Sequence, residues 1–103
     1  MKRGEVRWYK FARPDKKRPV LLLTRTTVLR YLGEVTVAPV TTTIRDIPSE
    51  VLLDAESGMQ RDCAVNCDHI QTVNQARIGS LITVLDEDKM KRVAVAVGFA
   101  LDL

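Results

Sequence analysis

The sequence predicts a mainly β domain closed by one C-terminal α-helix, and three observations predict it. Short stretches rich in Val, Thr and aromatic residues recur from Glu5 to Val73, separated by Pro, Gly, Asp and Asn, which is the pattern of strands and their turns. The period then changes. After Asp86, apolar residues fall at Met90, Val93, Ala94, Val97 and Leu101, one stripe of an amphipathic helix. Finally, no apolar run approaches the ~20 residues of a membrane-spanning helix. A length of 103 residues fits one domain, residues 1–103, around one modest core.

Taken in order, Glu5–Phe11 reads as the first strand, with Val6 and Trp8 on one face and Arg7, Tyr9 and Phe11 on the other. Trp8 is expected to pack in the core or as a lid over it, with Tyr9 and Phe11 the weaker candidates for stacking an RNA base. Residues 12–18 form a basic loop around the Pro14-Asp15 turn signal. The second strand, 19–24, opens on Pro19, which has no N–H to give to a ladder. Its run Val20-Leu21-Leu22-Leu23 suits a strand buried on both faces.

A connector follows at 25–33, with room for one helical turn, and Gly33 closes it. Residues 34–43 read as a third strand in which Val35, Val37 and Pro39 face one way and Thr36, Ala38 and Val40 the other. Pro39 suggests an edge position or a bulge. Thr41, Thr42 and Thr43 are either β-formers with local hydrogen bonds or hydroxyl donors to a phosphate. Beyond the turn at 46–49, Glu50–Leu53 is a fourth strand and 54–58 a polar loop. Residues 63–73 read as a fifth strand with its continuation, placing Asn66 and Asp68 on one face and His69 just beyond. Ser80–Leu85 is a short apolar segment. Asp86 is the expected helix N-cap, with Glu87 and Asp88 in the first turn where the helix dipole favours acids.

Charge is unevenly spread. The net charge is +3, yet residues 1–31 hold ten of the 16 basic residues and two of the 13 acids. A folded domain with one basic end attracts a polyanion, unless packing mixes those charges over the surface. Within that end, Arg18 sits where the chain enters the core. It is either a solvated charge at a strand mouth or a rigidly mounted fork for a phosphate.

Cys63 and Cys67 read as buried thiols of a protein in a reducing compartment, the cytoplasm by default. With His69 they match no standard zinc spacing and lack a fourth ligand, so neither metal nor cofactor is expected. Glycine-rich phosphate loops and nucleophile elbows are absent.

The order of residues resembles the MazF/PemK family of toxin endoribonucleases. The matching pieces are Arg3-Gly4-Glu5-Val6, Arg18-Pro19-Val20-Leu21, the strand running to Val40-Thr41, Cys67-Asp68 followed by Gln71-Thr72-Val73, Arg77-Ile78-Gly79 and the helix opening at Leu85-Asp86. The resemblance implies an SH3-like β-barrel (CcdB/PemK-like) with a C-terminal helix. It also implies a homodimer, metal-independent cleavage of single-stranded RNA such as mRNA, and a cognate antitoxin that blocks the RNA groove. No membrane partner is implied.

Carried over by position, Arg18 matches the family's active-site arginine, Thr41 its active-site threonine, and Asp68 a carboxylate that acts in some members. His69 is a further acid–base candidate, because its unperturbed pKa of ~6.5 suits proton transfer. Arg7, Lys16, Lys17 and Arg25 are the expected RNA-binding cations. Asn66, standing where certain members place an arginine, joins them. Two alternatives use similar barrels without chemistry: a CcdB-like toxin that binds DNA gyrase, and a non-catalytic RNA-binding barrel.

Overall fold

The computed structural model describes residues 1–11 and 17–103; most of the predicted basic loop, Lys16 included, lies outside them. Seven strands and two helices follow one another as β1 (Glu5–Lys10), β2 (Lys17–Leu22), α1 (Thr26–Leu29), β3 (Glu34–Thr41), β4 (Glu50–Leu53), β5 (Cys63–Asn66), β6 (Gln71–Asn74), β7 (Ile78–Val84) and α2 (Glu87–Leu101). The strand pairs are antiparallel. They run in the order β4-β5-β3-β2-β1-β7, with β6 also paired to β3.

Strand alternation builds two apolar layers from one sheet. Val6, Leu21, Ala38 and Val65 point to the layer covered by α2, where they meet Val93 and Ala96. Tyr9, Val20, Leu22, Val35 and Val37 point to the other, where Leu29 of α1 and Val73 of β6 meet them. The run from Val20 to Leu22 is fully buried, as expected of a strand with apolar neighbours on both faces. Each such side chain contributes roughly 1.5–3 kcal/mol when taken out of water.

Two prolines shape the centre of the sheet. Pro39 does not mark an edge, because β3 is internal, with β2 on one side and β5 and β6 on the other. The Thr36 carbonyl accepts from Leu23 on the β2 side, so alternation turns Pro39's nitrogen the opposite way. There β6 partners Glu34–Val37 and β5 partners Val40–Thr41, and Pro39 falls in the gap between them. Pro19 is the third residue of β2 rather than its first. By the same alternation from Leu23, its nitrogen faces β3, and the β2–β3 ladder stops at Val20–Pro39. A residue without an N–H cannot extend it.

Other expectations are corrected. Tyr9 is only 6% exposed and stacks edge-on with Phe11 at 4.8 Å between ring centres, so it is a core residue and not a surface for bases. The expected continuous strand at 63–73 is broken by a 3₁₀ turn at Cys67–His69, which overturns the shared face of Asn66 and Asp68. On α2 the buried arc runs through Met90, Val93, Ala96, Val97 and Ala100. Ala94 and Leu101 are exposed, because the helix leans on β4 and the 3₁₀ turn with its adjacent flank. Its caps are as expected at the start, where Asp86 Oδ1 accepts from the Lys89 N–H at 2.8 Å. At the end Asp102 adopts a left-handed conformation and donates its N–H to the carbonyls of Gly98 and Phe99. Among the described residues, no helix is long and apolar enough to cross a membrane.

Candidate functional site

The sequence-predicted site residues fall into two groups on either side of β3. The first lies where β2 and β3 part. Extending the Val20–Pro39 register by two residues sets Arg18 opposite Thr41, and Pro19 is what stops the strands from zipping together there. Arg18 is exposed and Thr41 half-buried. Thr41 Oγ1 accepts from the Thr43 N–H at 3.1 Å, which leaves its hydroxyl proton to give elsewhere. Lys17 is exposed and pairs across the ladder with Lys10, also exposed. Like charges set directly opposite repel, and a bound anion relieves that. Arg18 and Lys17 make no salt bridge among the described residues.

A cleft of about 470 Å³ opens beside this pair, with Trp8, Pro19, Val40, Thr41 and Arg61 on its walls. Trp8 is half-buried and belongs to neither apolar layer, which corrects the core half of its expectation and leaves the lid half.

The second group is the 3₁₀ turn. Asn66 is 6% exposed, and its Oδ1 accepts from the Asp68 N–H at 3.0 Å. That contact fixes which end of the amide is the donor. Its Nδ2 therefore donates to His69 Nδ1 at 3.1 Å, so the neutral imidazole carries its proton on Nε2. Ser49, 2% exposed, donates its hydroxyl to Asp68 Oδ2 and accepts the Cys67 N–H on its carbonyl at 3.0 Å. Asp68 and His69 themselves are exposed, so the acid and the imidazole face solvent from a turn locked beneath. Burial pushes the Cys67 thiol up to about 11, and the Asp68 carboxylate adds to the rise. Cys63 is raised for the same main reason. Both stay protonated, buried and unreactive at neutral pH. Among the described residues, no group of three or more His, Cys, Asp or Glu is placed to hold a metal ion.

Three of the predicted RNA contacts stand apart from the Arg18 group. Arg7 is committed internally: Nε donates to Glu5 Oε1 at 2.8 Å and NH1 to the Gly79 carbonyl at 3.0 Å. Burial alone would raise the Glu5 carboxyl, but the Arg7 hydrogen bond and charge hold it below its ordinary value. Arg25 is exposed just before α1, three residues beyond the end of β2, and the strand from Arg18 to that end alone spans about 13 Å. Asn66 spends both ends of its amide inside the turn. Ser49, Gln60 and Arg61 went unrecognised in the sequence. Ser49 carried no signal at all, since its partner Asp68 is a tertiary contact, and Arg61 was one cation among sixteen.

Residues 2–101 match a family described as PemK-like, MazF-like toxin of type II toxin–antitoxin system. Endoribonuclease MazF3 of Mycobacterium tuberculosis is 44% identical over 92 residues, covering 89% of this chain and 89% of that protein. The solved structure of Mycobacterium tuberculosis toxin MazF-mt6 superposes with a TM-score of 0.88 at 39% identity, over 96% of this chain and 97% of that one. An endoribonuclease in complex with its cognate antitoxin, from a mycobacterial species, superposes with a TM-score of 0.90 over 100% of this chain and 96% of that one. Its 24% identity speaks to the fold alone.

Proposed function

The chain belongs to the PemK-like, MazF-like toxin family of type II toxin–antitoxin systems, and from that premise we propose that it is an endoribonuclease acting on single-stranded RNA. The observation that carries the reading is the end of the β2–β3 ladder at Val20–Pro39, two residues short of Arg18 on one strand and Thr41 on the other. It sets a permanent cation and a free hydroxyl proton at one exposed place beside a cleft.

The reaction uses the RNA's own 2′-hydroxyl. Its oxygen forms a bond to the neighbouring phosphorus, the bond to the 5′ oxygen breaks, and the products are a 2′,3′-cyclic phosphate and a 5′-hydroxyl. Charge builds on the non-bridging oxygens. Arg18 meets it with a bidentate fork and Thr41 with one further donor. One proton must leave the 2′ oxygen and another must reach the 5′ oxygen. Asp68 assists as the exposed carboxylate held by Ser49, and His69 offers its outward Nε2–H as a hydrogen-bond donor. Positive charge supplied by the chain itself does the stabilising that a metal ion does in other nucleases, so cleavage needs no cofactor.

The reading takes residues 1–103 as one domain. It takes the sheet as an SH3-like barrel of the CcdB/PemK type, whose edges are drawn together where Thr83 Oγ1 on β7 donates to the Ser57 carbonyl beyond β4 at 2.9 Å. It includes a cytoplasmic homodimer that uses the apolar residues left outside α2, Val95 at 74% and Phe99 at 61% exposure among them. The cognate antitoxin is expected to lay an acidic segment over Lys17 and Arg18. The test is to incubate the pure protein with a long mRNA and with DNA of the same sequence, in EDTA, and to map the ends. RNA cut to cyclic-phosphate ends with DNA intact is expected. Cleavage that needs added magnesium overturns the mechanism, and intact RNA beside inhibited gyrase restores the CcdB-like alternative.

A further inference from the structure

We infer that the cleft beside Thr41 is a nucleobase pocket, in which one base of the strand held at Arg18 and Thr41 packs on Trp8 and is read along its polar edge by Gln60 and Arg61. The inference rests on the endoribonuclease reading and assigns that activity its specificity residues.

Four observations carry it. First, the cleft is of the size and make-up of a small-ligand site: about 470 Å³, with an apolar floor and few polar groups. The floor is the cross-strand pair Trp8–Pro19, and a half-buried indole outside both apolar layers is a surface on which any base can stack. Second, the polar groups that line it are those that discriminate bases. Gln60 offers a donor and an acceptor on one amide, and Arg61 offers a two-pronged donor. Both are exposed, and among the described residues Arg61 makes neither an ion pair nor a hydrogen bond.

Third, the wall carrying them is built and fixed. Asp54 Oδ1 accepts from Glu56 and Ser57 N–H groups at 3.0 and 3.3 Å. Gly58 then turns the chain at φ +90°, where a Cβ would come within 2.2 Å of Thr83 Oγ1. Only glycine lets this loop dock on β7 and face the cleft. Fourth, Thr41 lines the cleft together with Pro19, the neighbour of Arg18, and the β2–β3 register extended by two residues sets Thr41 opposite Arg18. A nucleotide whose phosphate lies at that pair has its own or its neighbour's base at the cleft's entrance, and the exposed cations Arg18 and Arg61 match the charge of the strand.

The chain has one tryptophan, Trp8, so intrinsic fluorescence reads the cleft directly. The probe is a short single-stranded RNA spanning a mapped cut site, with one 2′-deoxy nucleotide there to prevent attack. Labelled, the same probe reports binding by anisotropy. Saturable quenching of Trp8 in step with the anisotropy is expected. Arg61→Ala and Gln60→Ala, both at exposed positions, should keep the wild-type melting temperature. Each should still cut, but with roughly tenfold lower rate at the preferred base and a relaxed preference at one position of the site. Unchanged cutting preference in both variants, with Trp8 emission unmoved while the probe binds, overturns the pocket and leaves the endoribonuclease standing. A wild-type protein that cuts no RNA overturns the endoribonuclease. In that case quenching by the probe keeps the pocket as a nucleic-acid site, and quenching by an acidic peptide but not by the probe overturns it in favour of a protein-docking cleft.

Discussion

The two margins of β3 solve opposite problems. On the β2 side, Arg18, Lys17 and Thr41 are exposed cations with no acidic partner among the described residues and a hydroxyl with its proton to spare. On the β5–β6 side, Asn66, Ser49 and the backbone of the 3₁₀ turn satisfy one another, and only the outer atoms of Asp68 and His69 remain for a ligand. The first margin is a charge waiting for an anion. The second is a rigid mount. The difference teaches that binding energy and positioning are separable here, and each can be broken without the other.

The largest effect is expected from Arg18→Ala. Loss of one charge-stabilising donor typically lowers rates ~10²–10³-fold, and the exposed position should leave thermal melting unchanged. Arg18→Lys should rescue poorly, because a point charge cannot reproduce the fork. Cleavage of a single defined oligonucleotide at near wild-type rate by folded Arg18→Ala would remove that margin from the active site.

Asn66→Ala tests the other margin and should do the reverse. It strands the part-buried partners of one amide, the Asp68 N–H and His69 Nδ1, at about 1 kcal/mol of stability, and frees the His69 tautomer. Lower melting together with loss of a single Nε2–H signal in nitrogen-detected NMR of the His69 ring is expected. A variant as stable as wild type, with the tautomer retained, would show that the turn does not depend on the amide.

A smaller loss, about 0.5–1.5 kcal/mol in transition-state stabilisation, is expected for Thr41→Ala. On the proposed sharing of one phosphate with Arg18, its effect should shrink in the double variant. Strict additivity of the two rate losses would separate them.

The smallest effect concerns pH. The Cys67 thiol is raised by burial to about 11, whereas in the unfolded chain it ionises near its ordinary value. Between about pH 9 and 11 the unfolded state therefore holds fewer protons than the folded one, and stability falls as pH rises. Denaturant midpoints should drift down over that window, and Cys67→Ala should flatten the drift relative to wild type. An unchanged slope would place the titrating group elsewhere.

Much of this architecture was legible before any coordinates. The alternation of Val35, Val37 and Pro39 against Thr36, Ala38 and Val40 assigned residues to the two layers, since side chains in a strand take opposite faces in turn. Asp86 named the start of α2, since a side-chain oxygen there answers a local N–H. Arg18-Pro19 and Thr41 stood out as a pair through a family resemblance. The misreadings share a cause. Tyr9 as a stacking surface, Trp8 as core and Asn66 as an RNA contact are statements about burial: Phe11 and Asp68 lie only two positions from Tyr9 and Asn66, but which side chains are covered is decided by strands packed from distant parts of the chain.

The sequence by itself determined what depends on neighbours a few positions away: the periods of strand and helix, the cap at Asp86, the basic N-terminal third, and the two prolines that forbid particular hydrogen bonds. Only the tertiary structure decided where those prohibitions fall. Pro39 landed in the gap between two partner strands, where no ladder bond is asked of it, while Pro19 fell just past the end of the β2–β3 ladder, beside Arg18. The missing N–H is a local fact. Whether it is harmless or makes a site depends on which strand comes to lie beside it, and that is settled by packing across the whole chain.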